Sequence, residues 1–505
     1  MTELNTLTNM SRAAGFDLVR AEESRSMIRV SEAGGWNFYE NDDDTDHALF
    51  VNVVATLIAN LEVPPQDQNF SGFMKHIDDF VSSVDDQIEE RLMVVLRQER
   101  FREIERNWMM LSQIADTIEG DNVQVDVLDV TKEELAEDIR DNSNHIMGSA
   151  MFQRMYVGEF DRFGGIPFSS MITLFEYDPS DVAAGGDLQF LTGLGRLAGH
   201  CHAPVVGAVA PQFFGIGSFD QLSELADLDR VLERPKYGKW NAFRDTHEAA
   251  YVGLTMPRYL LREPHSSSEN ARFTFNEVIN KTDDYLWGNA AALFAQNMIR
   301  SFELSKWCQH VRGPEGGGRV RGLPVPIIVG SDGVSEEQPP VDAAIPDYRE
   351  LQLANAGFIA LVSKKDQPDE ACFFSAQSAK VAKDFTEELA TQNAHLVTNL
   401  SYTLSVSRVA HYIKRMARDY IGSSADAPYL QNMLQSWLSE YVTTITNPDD
   451  LTLTRYPFRA VTVEVTPKVG PLGWYKCTTS ILPHVQFEGM DVELRLEAAL
   501  GGGGG

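Results

Sequence analysis

Phe458-Arg459-Ala460-Val461-Thr462-Val463-Glu464-Val465-Thr466 and, beyond a turn containing Pro471 and Gly473, Trp474-Tyr475-Lys476-Cys477-Thr478-Thr479-Ser480-Ile481 are the stretch most informative about the fold. β-branched and apolar residues alternate with polar ones in both runs, so they read as the two strands of a hairpin. Downstream, Asp491-Val492-Glu493-Leu494-Arg495-Leu496-Glu497 alternates strictly at period two, with Val492, Leu494 and Leu496 on one face and charges on the other. A strand following the Glu488-Gly489 turn has to find a sheet edge, in its own subunit or in a neighbour.

Working back from the hairpin, Leu430, Met433, Leu434, Trp437, Leu438, Tyr441 and Val442 make a broad helical stripe opened by Asp426 and Pro428. Before it, Val409, Tyr412, Ile413, Met416 and Tyr420 make another, with Gly422 at a C′ position. From Tyr156 to about Ser378, apolar strands such as Val205–Val209, Pro326–Val329 and Phe358–Val362 mix with helices such as Trp287–Phe302 in an α/β manner. Further upstream Val123, Val125 and Val127 alternate as a strand, and Thr131 with Glu134 forms a capping box that starts a helix. Phe73, Ile77, Phe80, Val84, Ile88 and Leu92, then Phe101, Ile104, Trp108 and Leu111, recur at helical spacing and predict long amphipathic helices. The opening residues, with the acidic run Asn41–Asp46 and the Pro64-Pro65 break, read as an arm. The expected fold class is mixed α+β: long N-terminal helices, a central α/β domain, and a C-terminal helix pair with a β-hairpin and a terminal donor strand. The division drawn is 1–65, 66–370 and 371–497, with the glycine tail 498–505 set aside.

Composition narrows the function. The chain has 505 residues, and 43 Lys and Arg against 73 Asp and Glu leave a formal charge of −30. That sign opposes binding to nucleic acid or an anionic membrane surface. No apolar run approaches the ~18 residues a membrane span needs, and Met1–Asp17 does not resemble a secretory signal. Cys201, Cys308, Cys372 and Cys477 lie far apart with no CxxC pair, which fits reduced thiols.

Motifs that would carry catalysis are scarce. Gly313-Pro314-Glu315-Gly316-Gly317-Gly318-Arg319 is rich in glycine but lacks the Lys-Ser/Thr ending of a phosphate loop. Arg312, Arg319 and Arg321 beside it suit a tight turn with solvated arginines or an interface contact better than an anion held by exposed amides. His200-Cys201-His202 lines up three potential metal ligands, yet neighbours on extended backbone point to opposite faces and no fourth ligand is evident. His411 sits beside aromatic helix positions and reads as a satisfied, partly buried histidine. No metal or cofactor is expected.

The string Phe160-Asp161-Arg162-Phe163-Gly164-Gly165-Ile166-Pro167-Phe168 resembles the large subunit of the type VI secretion contractile sheath, the TssC or VipB family. Pro211-Gln212-Phe213-Phe214-Gly215, Lys236-Tyr237-Gly238-Lys239-Trp240, Gly253–Arg262, Tyr285–Asn289, Gly357-Phe358 and Gly473-Trp474-Tyr475 follow in the family's order. Asp161 and Leu482 depart from it, and the stretch after Ile345-Pro346 looks shortened. The resemblance implies a structural protein of the bacterial cytoplasm, without catalysis. It further implies pairing with a small sheath subunit (TssB/VipA) and sixfold helical self-assembly around an Hcp tube. A baseplate contact and disassembly by the ClpV ATPase belong to the same picture. On that reading Val492, Leu494 and Leu496 form an inter-subunit strand, with Val461, Val463, Val465, Trp474 and Tyr475 as its hairpin platform. By analogy with other contractile sheaths, Gln431, Gln435 and Glu440 would lie on a tube-facing helix. Two alternatives stay open: an adaptor that binds the small subunit without polymerising, and an anion-dependent enzyme using Arg312 and Arg319 with His202 or His411.

Overall fold

The computed structural model describes residues 16–20, 28–32, 70–180, 186–225, 227–266, 275–329, 335–383, 386–421, 423–445, 449–468 and 474–484. The chain divides into two compact units, Met1–Arg102 with Pro264–Asn280, and Glu103–Glu263 with Lys281–Gly505.

In the first unit the helical spacing of Phe73 to Leu92 produces α1, Phe70–Arg97. The Arg97 guanidinium donates to the Val278 carbonyl at 2.9 Å, and Glu89 accepts from the Asn276 amide at 3.4 Å, which ties the returning segment to the helix. Phe16–Arg20 and Ile28–Glu32 pair as antiparallel strands.

The second helix, α2, spans Glu99–Asp116, and its Met110 and Ile114 are buried in the second unit. Glu103 to Glu263 of that unit then contributes α3, Lys132–Asp141, whose expected capping box is present: Thr131 accepts from Glu134 N–H while Glu134 accepts from Thr131 N–H. β1 (Met171–Tyr177), α4 (Asp187–Cys201), β2 (Val205–Val209) and β3 (Val252–Met256) follow. After Lys281 come α5 (Ala291–Ser305), β4 (Arg319–Val320), β5 (Ile359–Lys364) and β6 (Gln367–Phe373). The six strands form one sheet in the order β1-β2-β3-β5-β6-β4, parallel from β1 to β5 and antiparallel beyond.

β2 is buried along its whole length, as an unbroken Val-Val-Gly-Ala-Val run demands when helices cover both sheet faces. Val205 and Val209 join the core of Leu191, Leu194 and Leu197 on α4, while Val206 joins that of Phe294 and Met298 on α5. The strings that resemble the sheath family converge here as core: the Phe213 ring lies 5.1 Å from Tyr237, 5.5 Å from Trp240 and 5.4 Å from Phe358. Asn289 Nδ2 donates to the Thr173 and Phe175 carbonyls at 3.5 and 3.1 Å, at the irregular stretch of β1 between Ile172 and Glu176.

Three expectations are corrected. The stretch expected to be helix from Trp287 begins as a two-residue strand, Trp287–Gly288, paired with Tyr259–Leu260. The helix starts later because Asn289 Oδ1 accepts from Ala291 N–H. Val123–Val127 is extended but pairs with no described strand. The boundary expected at residue 370 falls inside β6, in the middle of a ladder.

Beyond the sheet lie α6 (Leu400–Asp419), α7 (Ala427–Ser439), β7 (Phe458–Pro467) and β8 (Tyr475–Pro483). Asp426 caps α7, accepting from Tyr429 N–H, and Pro428 sits in its first turn. Trp307, Val409, Leu434, Leu438, Phe458, Val463 and Val465 form a third core that joins these elements.

Candidate assembly surface

β7 and β8 pair antiparallel in a register that sets Val461 opposite Ile481, Val463 opposite Thr479 and Val465 opposite Cys477. Val461, Val463 and Val465 therefore share one face, which packs on α7. The hairpin base is anchored. Phe458 N–H donates to the Tyr441 carbonyl at 3.3 Å and its own carbonyl accepts from Thr443 N–H at 3.1 Å. The Trp307 ring stands 5.1 Å from Tyr441 and 5.2 Å from Phe458.

The two edges of this ribbon differ. Val463 N–H donates to Gln435 Oε1 at 2.8 Å, Val465 N–H to Gln431 Oε1 at 3.0 Å, and Gln435 Nε2 donates to the Val461 carbonyl at 3.1 Å. These glutamine amides occupy the positions a neighbouring strand would take, so β7 is closed. Gln431 and Gln435, expected on a tube-facing helix, turn their amides toward β7, because α7 lies along it and they reach its free main-chain groups. Glu440, at the C-cap of α7, is exposed.

Because Val463 and Val465 direct their N–H groups away from β8, the ladder bonds run through Thr462, Glu464 and Thr466. Opposite them, Cys477, Thr479 and Ile481 direct their main-chain groups outward. The Ile481 carbonyl accepts from Tyr402 Oη at 3.3 Å, and no described residue bonds the outward groups of Cys477 or Thr479. Trp474 is 62% exposed and Tyr475, Lys476, Cys477 and Thr478 are exposed as well. β8 thus offers an open edge, with an aromatic pair at its start. Val492, Leu494 and Leu496 lie outside the described residues.

Two amides of the arginine loop are bonded within the fold. Gly313 N–H donates to the Phe373 carbonyl at 2.7 Å, Gly318 N–H to Gly313 at 2.9 Å, and Phe373 N–H to Gly318 at 2.9 Å. The loop is laced onto the end of β6, and a Cβ on Gly318 would stand 2.3 Å from the Phe373 oxygen. Arg319 pairs with Glu315 at 3.0 Å and Glu370 at 3.4 Å, Arg321 pairs with Glu370 at 3.1 Å, and Arg312 is buried. Burial works to raise the Glu370 carboxyl, but the Arg321 hydrogen bond and the charges of Arg319 and Lys364 hold it below its usual range.

Among the described residues no group of His, Cys, Asp and Glu could hold a metal ion. His202 ends α4 with φ 50°, and its ring lies 6.3 Å from that of His411. His411 Nε2 donates to the Cys201 carbonyl at 2.8 Å. Burial drives the His411 pKa down to about 4, and the nearby His202, Arg408 and Lys414 push the same way. Phe160 fits edge-on against both rings, and the string that follows it is held by α6. Arg418 donates to the Phe160 and Arg162 carbonyls at 3.1 and 2.5 Å, and Lys414 pairs with Asp161 at 2.7 Å.

Residues 78–380 match the family described as VipB: EvpB/VC_A0108, tail sheath N-terminal domain. Residues 389–500 match VipB_2: EvpB/VC_A0108, tail sheath gpW/gp25-like domain. The chain belongs to the VipB contractile sheath family. It is 32% identical over 434 residues to the type VI secretion system sheath protein TssC1 of Pseudomonas aeruginosa, covering 85% of this chain and 86% of that one. VipB-family members are structural sheath proteins and not enzymes, so the anion-dependent enzyme reading ends here. Among solved structures, the anti-feeding prophage baseplate is similar at a TM-score of 0.37 and 10% identity, covering 75% of this chain and 84% of that one. The contracted anti-feeding prophage helical sheath follows at 0.31 and 11%, covering 61% and 67%. No helix among the described residues is long and apolar enough to cross a membrane.

The sheath reading missed two contacts, that of Asn289 with β1 and that of the glutamines with β7. The second had a signal: Gln431 and Gln435 are polar residues four apart within an otherwise apolar helical stripe.

Proposed function

We propose that this chain polymerises with a small sheath subunit into a helical tubule in the bacterial cytoplasm, around a tube of Hcp hexamers, and that each copy's Asp491–Glu497 strand completes the β7–β8 ribbon of a neighbour. The observation that carries this reading is the asymmetry of the ribbon, closed at β7 by Gln431 and Gln435 and open at β8. An added strand gains main-chain hydrogen bonds at ~1 kcal/mol net each. Repeated at every subunit, such bonds hold a lattice together while the anchored hairpin base permits reorientation. Because a contact of this kind is heterologous, it does not close on itself and generates an open helix. Contraction is the relaxation of a metastable extended lattice into one with more buried contact, and ClpV later dismantles it.

Coexpression with the small sheath subunit followed by negative-stain microscopy tests the proposal. Long hollow tubules are expected from the intact chain, and a folded heterodimer without tubules after deletion of Asp491–Glu497. Normal tubules from the truncated chain refute the strand exchange, and a soluble heterodimer from the intact chain supports the adaptor instead.

A further inference from the structure

Between α2 and α3 the chain leaves a turn at Asp121-Asn122 and crosses the surface as Val123-Gln124-Val125-Asp126-Val127-Leu128-Asp129-Val130, without turn or bend and exposed except at Val123 and Val130. From Gln124 to Val130 no main-chain N–H or C=O makes a hydrogen bond among the described residues. Three of their apolar side chains face solvent, Val125 at 43%, Val127 at 61% and Leu128 at 42% exposure. A surface connection has no need of β-branched residues in alternation; a strand does.

The segment is clamped at both ends. Glu303 accepts from the Glu119 and Gly120 amides at 2.9 and 3.1 Å, and Val123 packs against the core around α5. At the other end Val130 packs against the core around α4, just before the capping box of α3. Its conformation is thus fixed before any partner arrives, which lowers the ordering cost of binding.

We infer that Gln124–Leu128 adds as a strand to a sheet edge of a different subunit, a partner whose edge carries Lys or Arg. The charge follows from Asp121, Asp126 and Asp129 on the segment and Glu133 and Glu134 beyond it. That the partner is not another copy follows from the edges this chain has to offer. β7 is covered by the glutamines, β8, the longest open edge among the described residues, receives the tail strand in the function proposed above, on which this inference rests, and a second copy brings the same formal charge of −30.

Hydrogen exchange read by mass spectrometry tests it on the intact chain, alone and coexpressed with the small sheath subunit. Amides 124–129 should exchange at close to unstructured rates in the chain alone and at least 100-fold more slowly in the complex. A complex in which they stay unprotected overturns the inference and leaves the sheath reading standing. Failure to form any complex removes both. Protection that develops in the chain alone as its concentration rises assigns the edge to a second copy and overturns the choice of partner. Val127→Pro, which removes an N–H bonded to nothing internally, should keep the melting temperature and weaken the complex at least tenfold, whereas Val127→Thr should leave it unchanged.

Discussion

Gln435 does with one side chain what a neighbouring strand does with two residues: its oxygen takes the Val463 N–H and its nitrogen reaches the Val461 carbonyl. Replacing it by leucine preserves bulk but strips both groups of their partner at a half-buried edge. We expect Gln435→Leu to lose about 1–3 kcal/mol, measured by urea unfolding, and to self-associate through the newly freed β7 edge. His411 makes a second prediction at this scale. Its pKa falls from 6.5 to about 4 on folding, so between those values the unfolded chain binds a proton that the folded chain does not. Its contribution is complete above pH 6.5 and is lost as pH falls toward 4, on the order of 3–4 kcal/mol in all. His411→Gln keeps a donor for the Cys201 carbonyl without the titration. The stability of the native chain relative to this variant should decline across that window, and parallel pH curves would contradict the assignment.

Elements carry the next level. The Phe160–Phe168 string was legible as a family signature but not as structure, because what shapes it is α6, some 250 residues further on. Arg418 alone supplies two bonds to its carbonyls. Arg418→Met should therefore raise amide exchange in 160–168 while leaving the six-stranded sheet protected, at a cost of about 1–2 kcal/mol. The hairpin, the helix pair, the capping box and the buried β2 run were all legible in the sequence, since each is written in local periodicity and caps. The start of α5 was not: Trp287 and Leu286 continue an apolar pattern, and only the Asn289 side chain, bonded forward to Ala291 and back to β1, decides where the helix begins. Val123–Val127 shows the converse, a strand pattern with no strand beside it in this chain.

For the whole molecule, the sequence pointed to a sheath subunit through motifs that prove to be mostly aromatic core, such as Phe213, Trp240 and Phe358. They report the fold and carry no chemistry, which is what a mechanical part requires. The candidate surface was legible as a hairpin and a tail strand, but which edge of the hairpin is open depends on Gln431 and Gln435 bonding β7, a contact that local periodicity does not encode. Cys477, exposed on β8, gives direct access to the central claim. Val492→Cys or Leu494→Cys is introduced into a chain of distinguishable mass, coassembled with native chain and the small subunit, and treated with a short bis-maleimide. The account predicts a cross-linked product with the summed mass of two chains, joined through Cys477 of one and the tail of the other. A product confined to single chains, each tail tied to its own Cys477, would contradict it.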